Sequence, residues 1–321
     1  GLQTYIKKCY ILANIYVESM SKIKVIVTGG AGFIGSHLTD ALVKKNFEVH
    51  VIDNLSTGKK ENINPKAIFH KADIRQLEKI KPIFKDAKLV FHLAALPRVQ
   101  LSIDDPVLTN KVNTEGTLNI LIAARDAKVK RVVYSASSSA YGDQKKLPTA
   151  ENLPANPLSP YALQKHIGEH YCRIFSSVYG LETVSLRYFN VYGPNMSEKG
   201  SYLPVFMIFI KQKKENKPLT IIGDGEQTRC FTNVGDVVRA NLLAATSNKV
   251  GEGETLNICS DKSYSVNEVA KIIGGPVIKL PDRSGEIKKS WGDNNRAYKL
   301  LGWRPKISLA NGLKELKKVY L

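Results

Sequence analysis

The stretch Lys24-Val-Ile-Val-Thr-Gly-Gly-Ala-Gly-Phe-Ile-Gly35 reads as a strand that runs straight into a helix. Lys24-Val-Ile-Val-Thr28 is a β-branched run stopped by glycines, the pattern of a strand buried on both faces of a parallel sheet. The glycines satisfy two registers at once, Gly29-x-x-Gly32-x-x-Gly35 and Gly30-x-Gly32-x-x-Gly35, ahead of a helical pattern from Ser36 to about Lys45. Glycine here permits a tight turn and lets backbone approach a diphosphate and helix approach strand. The helix N-terminus adds free N–H groups and the positive end of a dipole. A second strand, Glu48-Val-His-Val-Ile52, ends at Asp53, 18 residues beyond Gly35. That is near the roughly 20 expected of a carboxylate that binds an adenosine ribose, so the stretch predicts a dinucleotide site. A carboxylate at this place repels a 2′-phosphate, which favours NAD over NADP.

Moving outward, further strands are expected at Ala67–His70, Leu89–Leu93, Arg131–Ser135 and Thr183–Arg187, with helical patterns between them at 105–127 and 159–178. This alternation predicts a parallel sheet covered by helices on both faces. Asp73 and Ile74 follow the third strand and are expected near the adenine. His92-Leu-Ala-Ala95 ends the fourth strand with small residues that let backbone approach the cofactor, and His92 itself reads as a packed strand residue. After Asn190 the rhythm breaks at Tyr192-Gly-Pro194, and short helices are expected at 203–214, 234–247 and 266–273. The organisation read from this is an N-terminal extension (1–20), a dinucleotide-binding domain (21–190) and a smaller lobe (191–321). Residues 234–260 are expected to return to the sheet.

At 321 residues the chain is long enough for one or two domains with a sizeable core. Its 43% hydrophobic and 24% charged content is that of a globular protein, and no apolar run reaches the roughly 18 residues of a membrane span. The cysteines Cys9, Cys172, Cys230 and Cys259 are far apart and form no metal-ligand pattern, so no metal and a reducing, cytoplasmic setting are expected. A net charge of +18 favours anionic partners. The lysines are spread along the chain with no purely basic block, so a nucleic-acid role is not expected.

Tyr161-Ala-Leu-Gln-Lys165 puts a phenol and an ammonium on one helical face, where the cation is expected to pull the phenol down towards a working general base. The same spacing recurs at Tyr141-Gly-Asp-Gln-Lys145, so spacing alone does not choose between the pairs.

In these motifs the chain resembles the extended short-chain dehydrogenase/reductase family, and within it the UDP-hexose 4-epimerases. The resemblance runs from about Ile23 to the C-terminus. Besides the glycine motif it is carried by Asp53-Asn-Leu-Ser-Thr-Gly58, His92-Leu-Ala-Ala-Leu-Pro-Arg-Val99, Asn113-Thr-Glu-Gly-Thr117, Ser135-Ala-Ser-Ser-Ser-Ala-Tyr-Gly142, Tyr161-Ala-Leu-Gln-Lys165 and Arg187-Tyr-Phe-Asn-Val-Tyr-Gly-Pro194. It implies an α/β fold, a Rossmann-type doubly wound parallel sheet with a smaller mixed α/β lobe for substrate. It implies NAD held by Gly29, Gly32, Phe33, Ile34, Gly35, Asp53, Asn54, Ser56, Thr57 and Gly58 at one end. Asp73, Ile74, Leu93, Ala94, Ala95, Asn113, Tyr161, Lys165 and Tyr188 complete that set.

The resemblance also chooses the Tyr161 pair and places Ser137 beside it, leaving Tyr141 in the turn after the fifth strand. The implied reaction is 4-epimerisation of a UDP-hexose through a 4-keto sugar. Tyr161, with Ser137 relaying, removes the 4-OH proton, and Lys165 lowers the Tyr161 pKa and holds the nicotinamide ribose. Related dehydratases and decarboxylases place acidic residues just after the serine; Ser138 and Ser139 stand there, which argues for plain epimerisation. Asn190, Arg229 and Arg283 match positions around the UDP diphosphate, and Glu286 matches a carboxylate for the uridine ribose. Cys230 departs from the family's usual Asp, which leaves the orientation of Arg229 in doubt. Ser290 falls where glucose-only epimerases carry Tyr, so UDP-GlcNAc/UDP-GalNAc are expected as substrates beside UDP-Glc/UDP-Gal. Alternatives are 4-epimerisation of UDP-glucuronic acid, or a non-catalytic NAD- or RNA-binding relative. A homodimer through the helical patterns 105–127 and 159–178 is implied as well.

Overall fold

The computed structural model describes residues 22–196, 203–281 and 289–321. Seven strands form one parallel sheet: β1 (Lys24–Thr28), β2 (Glu48–Asp53), β3 (Ile68–Lys71), β4 (Leu89–His92), β5 (Arg131–Ser137), β6 (Glu182–Tyr188) and β7 (Glu252–Ile258). Their spatial order is β7-β6-β5-β4-β1-β2-β3, with every neighbouring pair parallel. The order reverses between β1 and β4, and the carboxyl ends of strands at such a switch point are where open α/β sheets bind ligands. The doubly wound parallel architecture is therefore the one the alternation predicts.

Val25, Ile26 and Val27 are fully buried, so β1 contributes apolar side chains to both faces. One face packs Val25, Val27, Leu38, Leu42, Phe91 and Leu256 together, and the other Ile26, Ile52, Val90, Ile120 and Tyr134. Each such side chain contributes about 1.5–3 kcal/mol relative to exposure, which is why a lone break in this pattern is informative.

Three helices matter for the site. α1 (Phe33–Lys44) follows the glycine turn, α2 (Val99–Asp104) follows β4, and α3 (Pro160–Tyr179) runs between β5 and β6. α3 starts on Ser159, whose side chain accepts from the Ala162 N–H, with Pro160 in its first turn, and ends on left-handed Gly180. A Cβ at Gly168 would lie 2.2 Å from the Tyr134 hydroxyl, so only glycine lets α3 seat this closely on β5. The second expected helix, 105–127, is continuous from Pro106 to Asp126 but passes through a π-helical segment at Lys111–Glu115. π segments of this kind recur at functional sites.

Beyond β6 the chain turns at Asn190, which has φ +35, and builds an apolar cluster of its own around Tyr192, Phe206, Phe209, Val269 and Leu313. Phe33 of α1 packs against that cluster, so the lobe rests on the start of the first helix. Among the described residues no helix is long and apolar enough to cross a membrane.

Candidate active site

A cavity of about 1230 Å³ opens at the carboxyl ends of β1, β4, β5 and β6 and reaches the lobe. Its dinucleotide end is shaped by glycine. Gly29 adopts φ +72, and a Cβ there would lie 2.7 Å from the Ala94 nitrogen. A Cβ at Gly35 would lie 2.1 Å from the Gly29 oxygen, and one at Gly30 would meet Val51 at 2.7 Å, so both glycine registers are used. This is a cradle that side chains would fill, opening on the N-terminus of α1, and it fits a diphosphate. Asp53 ends β2 and accepts from the Ala31 and Leu55 N–H groups at 3.1 and 2.8 Å; burial pushes its carboxyl up, and those two bonds oppose the push. Asn54 donates to Asp73 at 2.9 Å, and the Arg75 guanidinium bonded to Asp73 holds that carboxyl at about 2. Phe33, Ile34, Ser56, Thr57, Ile74, Leu93, Ala94 and Ala95 complete this wall. The residues present thus fit NAD.

His92 is buried and carries no charge: burial holds its imidazole at about 3. The Thr28 hydroxyl accepts from the Leu93 and Ala94 N–H groups, so it must donate to His92 Nδ1, and Nε2–H then donates to Thr117. His92 therefore acts as a brace that fixes the backbone facing the cofactor, as its reading as a packed strand residue implies.

At the centre stand Ser137, Tyr161 and Lys165, all on the cavity wall. Ser137 ends β5, and its hydroxyl accepts from the Ser139 hydroxyl at 2.8 Å and the Ser139 N–H at 3.2 Å. Ser137 also acts on the Tyr161 phenol, pulling it down. The Tyr161 backbone N–H donates to Ser102 Oγ of α2 at 3.0 Å, and Lys165 Nζ donates to the Ser135 carbonyl at 2.8 Å over the Tyr134 ring. One expectation is corrected here. The phenol of Tyr161 lies above its ordinary value, not below it, because burial outweighs the pull of Ser137. Burial likewise lowers Lys165 to about 8. The rival Tyr141 donates to Asn257 at 2.8 Å under the Arg187 guanidinium, and burial holds its phenol at about 12.

The lobe side of the cavity carries Asn190, Arg229 and Ser290 together with Ser138 and Ser139. Asn190 donates to the Cys230 carbonyl at 2.9 Å, and Arg229 donates to the Thr228 carbonyl at 2.9 Å. Cys230 is itself fully buried against Ser260, 3.1 Å away, and Cys259. The Ser290 N–H donates to the Thr228 carbonyl, which fixes that small side chain at the cavity wall. Arg283 and Glu286 lie outside the described residues.

Two expected cofactor residues do not face the cavity. Asn113 spends its amide on the Leu96 N–H and carbonyl and on Gln164, so it positions backbone instead. Gly58 packs its loop on the glycine turn, where a Cβ would meet Ala31 at 2.8 Å. Tyr188 lines the cavity but shares its hydroxyl with Ser135 and Asn241. The sequence reading missed Arg98 and Lys289, both on the wall. The signal for Arg98 was its place at the start of α2, one turn before the Ser102 that holds Tyr161.

Comparison with known proteins agrees with this geometry. The NAD dependent epimerase/dehydratase family matches residues 25–259. A putative UDP-glucose 4-epimerase of Methanocaldococcus jannaschii is 43% identical over 300 residues, 91% of this chain and 96% of that one. The UDP-glucose 4-epimerase of Thermotoga maritima, solved with UDP-glucose, superposes with a TM-score of 0.85 at 38% identity, covering 92% of this chain and 98% of that one. The UDP-N-acetylglucosamine 4-epimerase of Methanobrevibacter ruminantium, solved with UDP-N-acetylmuramic acid, gives 0.87 at 36%, covering 93% and 98%.

Proposed function

This chain belongs to the NAD dependent epimerase/dehydratase family, as an NAD-dependent isomerase of its UDP-sugar 4-epimerase branch, and from that premise we propose that it interconverts UDP-glucose and UDP-galactose and also UDP-GlcNAc and UDP-GalNAc. The observation that carries plain epimerisation is the distribution of acids. Among the described residues lining the cavity, the carboxylates are Asp53 and Asp73, both at the dinucleotide end. Ser138 and Ser139 follow Ser137 directly, and neither hydroxyl can act as an acid or base near pH 7. Elimination or decarboxylation chemistry has no such group to use there.

Bound NAD supplies the acceptor and donor of hydride. In our reading the glycine cradle and α1 hold its diphosphate, Asp53 the adenosine ribose, and Tyr161 with Lys165 the nicotinamide ribose. Tyr161 would take the proton of the sugar 4-OH as C4 is oxidised, and give it back to the 4-oxygen as C4 of the turned 4-keto sugar is reduced from its other face. Ser137, tied to Ser139, orients the 4-oxygen and relays the proton. Lys165 stabilises the phenolate that accepts this proton, against the burial that disfavours it. Asn190 and Arg229 are proposed to hold the UDP diphosphate, Arg offering a planar fork of donors. Arg283 and Glu286 are assigned the roles the resemblance implies.

The small Ser290 supports room for a 2-N-acetyl group. A panel of UDP-Glc, UDP-GlcNAc and UDP-GlcA on purified protein tests this. Conversion of UDP-Glc with no conversion of UDP-GlcNAc would overturn the broader specificity, and a faster rate on UDP-GlcA would favour the uronic-acid reading. We also propose a homodimer. Leu163, Ile174 and Val178 form an exposed apolar stripe on α3, beside exposed Ile103 and Val107. A second copy of this chain is the proposed occupant, and light scattering of Val178→Glu against wild type checks it.

A further inference from the structure

α3 carries Tyr161, Lys165 and Glu169 at intervals of four, so the three side chains share one helical face. Glu169 is completely buried and is gripped by Arg187 through two parallel bonds, Nε to Oε1 at 2.8 Å and Nη2 to Oε2 at 2.6 Å. His166 adds a third contact at 3.1 Å. A buried ion pair of this kind is weak evidence for stability, because desolvation consumes most of the attraction and apolar replacements often cost nothing. Its place one turn beyond the Lys165 ammonium asks for another explanation.

The groups around Lys165 can be taken element by element. From β5 come the Ser135 carbonyl and the Tyr134 ring; from β4, the neutral His92; from β6, Arg187 behind its carboxylate; from α3 itself, Tyr161, Glu169 and Cys172. The Cys172 thiol, pushed up to about 12 by burial, is neutral, and so are the two phenols. Glu169 is the one negative charge in this set. We propose that Glu169 is a positioning residue for the reaction, its carboxylate locked by Arg187 so that the buried Lys165 ammonium stays charged beside Tyr161. Burial lowers Lys165, and Cys172 and Glu169 oppose it; with the Cys172 thiol neutral, the standing counter-charge is Glu169, which agrees with the geometry. The proposal rests on Lys165 being the electrostatic partner of Tyr161.

The test is the pH profile of kcat/KM for the holoenzyme. Glu169→Gln is expected to move the alkaline limb down by about one pH unit, a roughly tenfold loss at the alkaline end with near-normal rates about two units lower. Glu169→Asp, which keeps the charge, is expected to restore the limb. The double variant Glu169→Gln/Arg187→Met, which leaves no unpaired buried charge, is expected to show the same downward shift. An unmoved limb in a folded, NAD-loaded Glu169→Gln protein overturns the proposal. So does a uniform loss at every pH, or failure of both variants to fold, since each describes a structural role. Lys165→Met separates the two readings. If it keeps full activity, the assignment of Lys165 itself fails; if it loses activity while the Glu169→Gln limb stays put, only the role of Glu169 fails.

Discussion

The ammonium of Lys165 donates to the carbonyl of Ser135 at 2.8 Å, tying the second turn of α3 to the strand that ends two residues later at Ser137. One bond thus sets the spacing between the helix bearing the proposed base and the strand bearing its hydroxyl partner. Because burial lowers Lys165 from its ordinary 10.5 to about 8, the unfolded chain binds a proton across that window that the folded protein releases. Stability from this group therefore climbs as pH rises from about 8 to 10.5. Lys165→Met is expected to remove that climb, on the order of 3 kcal/mol, as read from denaturation midpoints against pH. Its rate should fall by roughly a hundredfold, the lower end of what a positioned proton-transfer system contributes.

Asp53 closes β2 with both carboxylate oxygens turned to backbone N–H groups of the turns around it. Its negative charge is the element expected to reject a 2′-phosphate. Asp53→Ala should raise the NADP/NAD ratio of binding affinities by roughly ten- to a hundredfold, since each tenfold corresponds to about 1.4 kcal/mol. Titration of stripped protein with both dinucleotides measures it, and an unchanged ratio would remove Asp53 from cofactor selection.

At Gly35 the added methyl group of alanine would sit 2.1 Å from the Gly29 oxygen, which is backbone and cannot step aside. Gly35→Ala should purify with little or no bound NAD, as read from absorbance after denaturation. Full NAD content would show that the cradle is looser than its geometry.

Ser290 presents a small side chain at the cavity wall. Ser290→Tyr should cut kcat/KM for UDP-GlcNAc at least tenfold while leaving UDP-Glc within about twofold, because added bulk discriminates by 1–3 kcal/mol. Equal losses on both sugars would mean that Ser290 shapes the pocket without reading the 2-substituent.

Much of this was legible in the chain. The β-branched run before Gly29, the spacing to Asp53 and the alternation of patterns carry the sheet, because each depends on residues close in sequence. Of the two Tyr–Lys spacings, the motifs around Tyr161 separated it from Tyr141, and the structure shows Tyr141 committed to Asn257, 116 residues away. What escaped depends on partners far along the chain. Asn113 reads as a cavity residue until its amide is seen to be used up by Leu96 and Gln164. The direction of the Tyr161 shift depends on burial, which no spacing reports. The Glu169–Arg187 pair joins a helix to a strand 18 residues on, and nothing local to either residue announces it.

The central claim is that Tyr161 moves the proton while Ser137 holds the oxygen. It is tested most directly by the epimerisation rate of Tyr161→Phe, measured on protein shown to carry its NAD. The account predicts a fall in kcat of roughly a hundred- to ten-thousandfold with cofactor retained. A Tyr161→Phe protein that keeps its NAD and its full rate would contradict it.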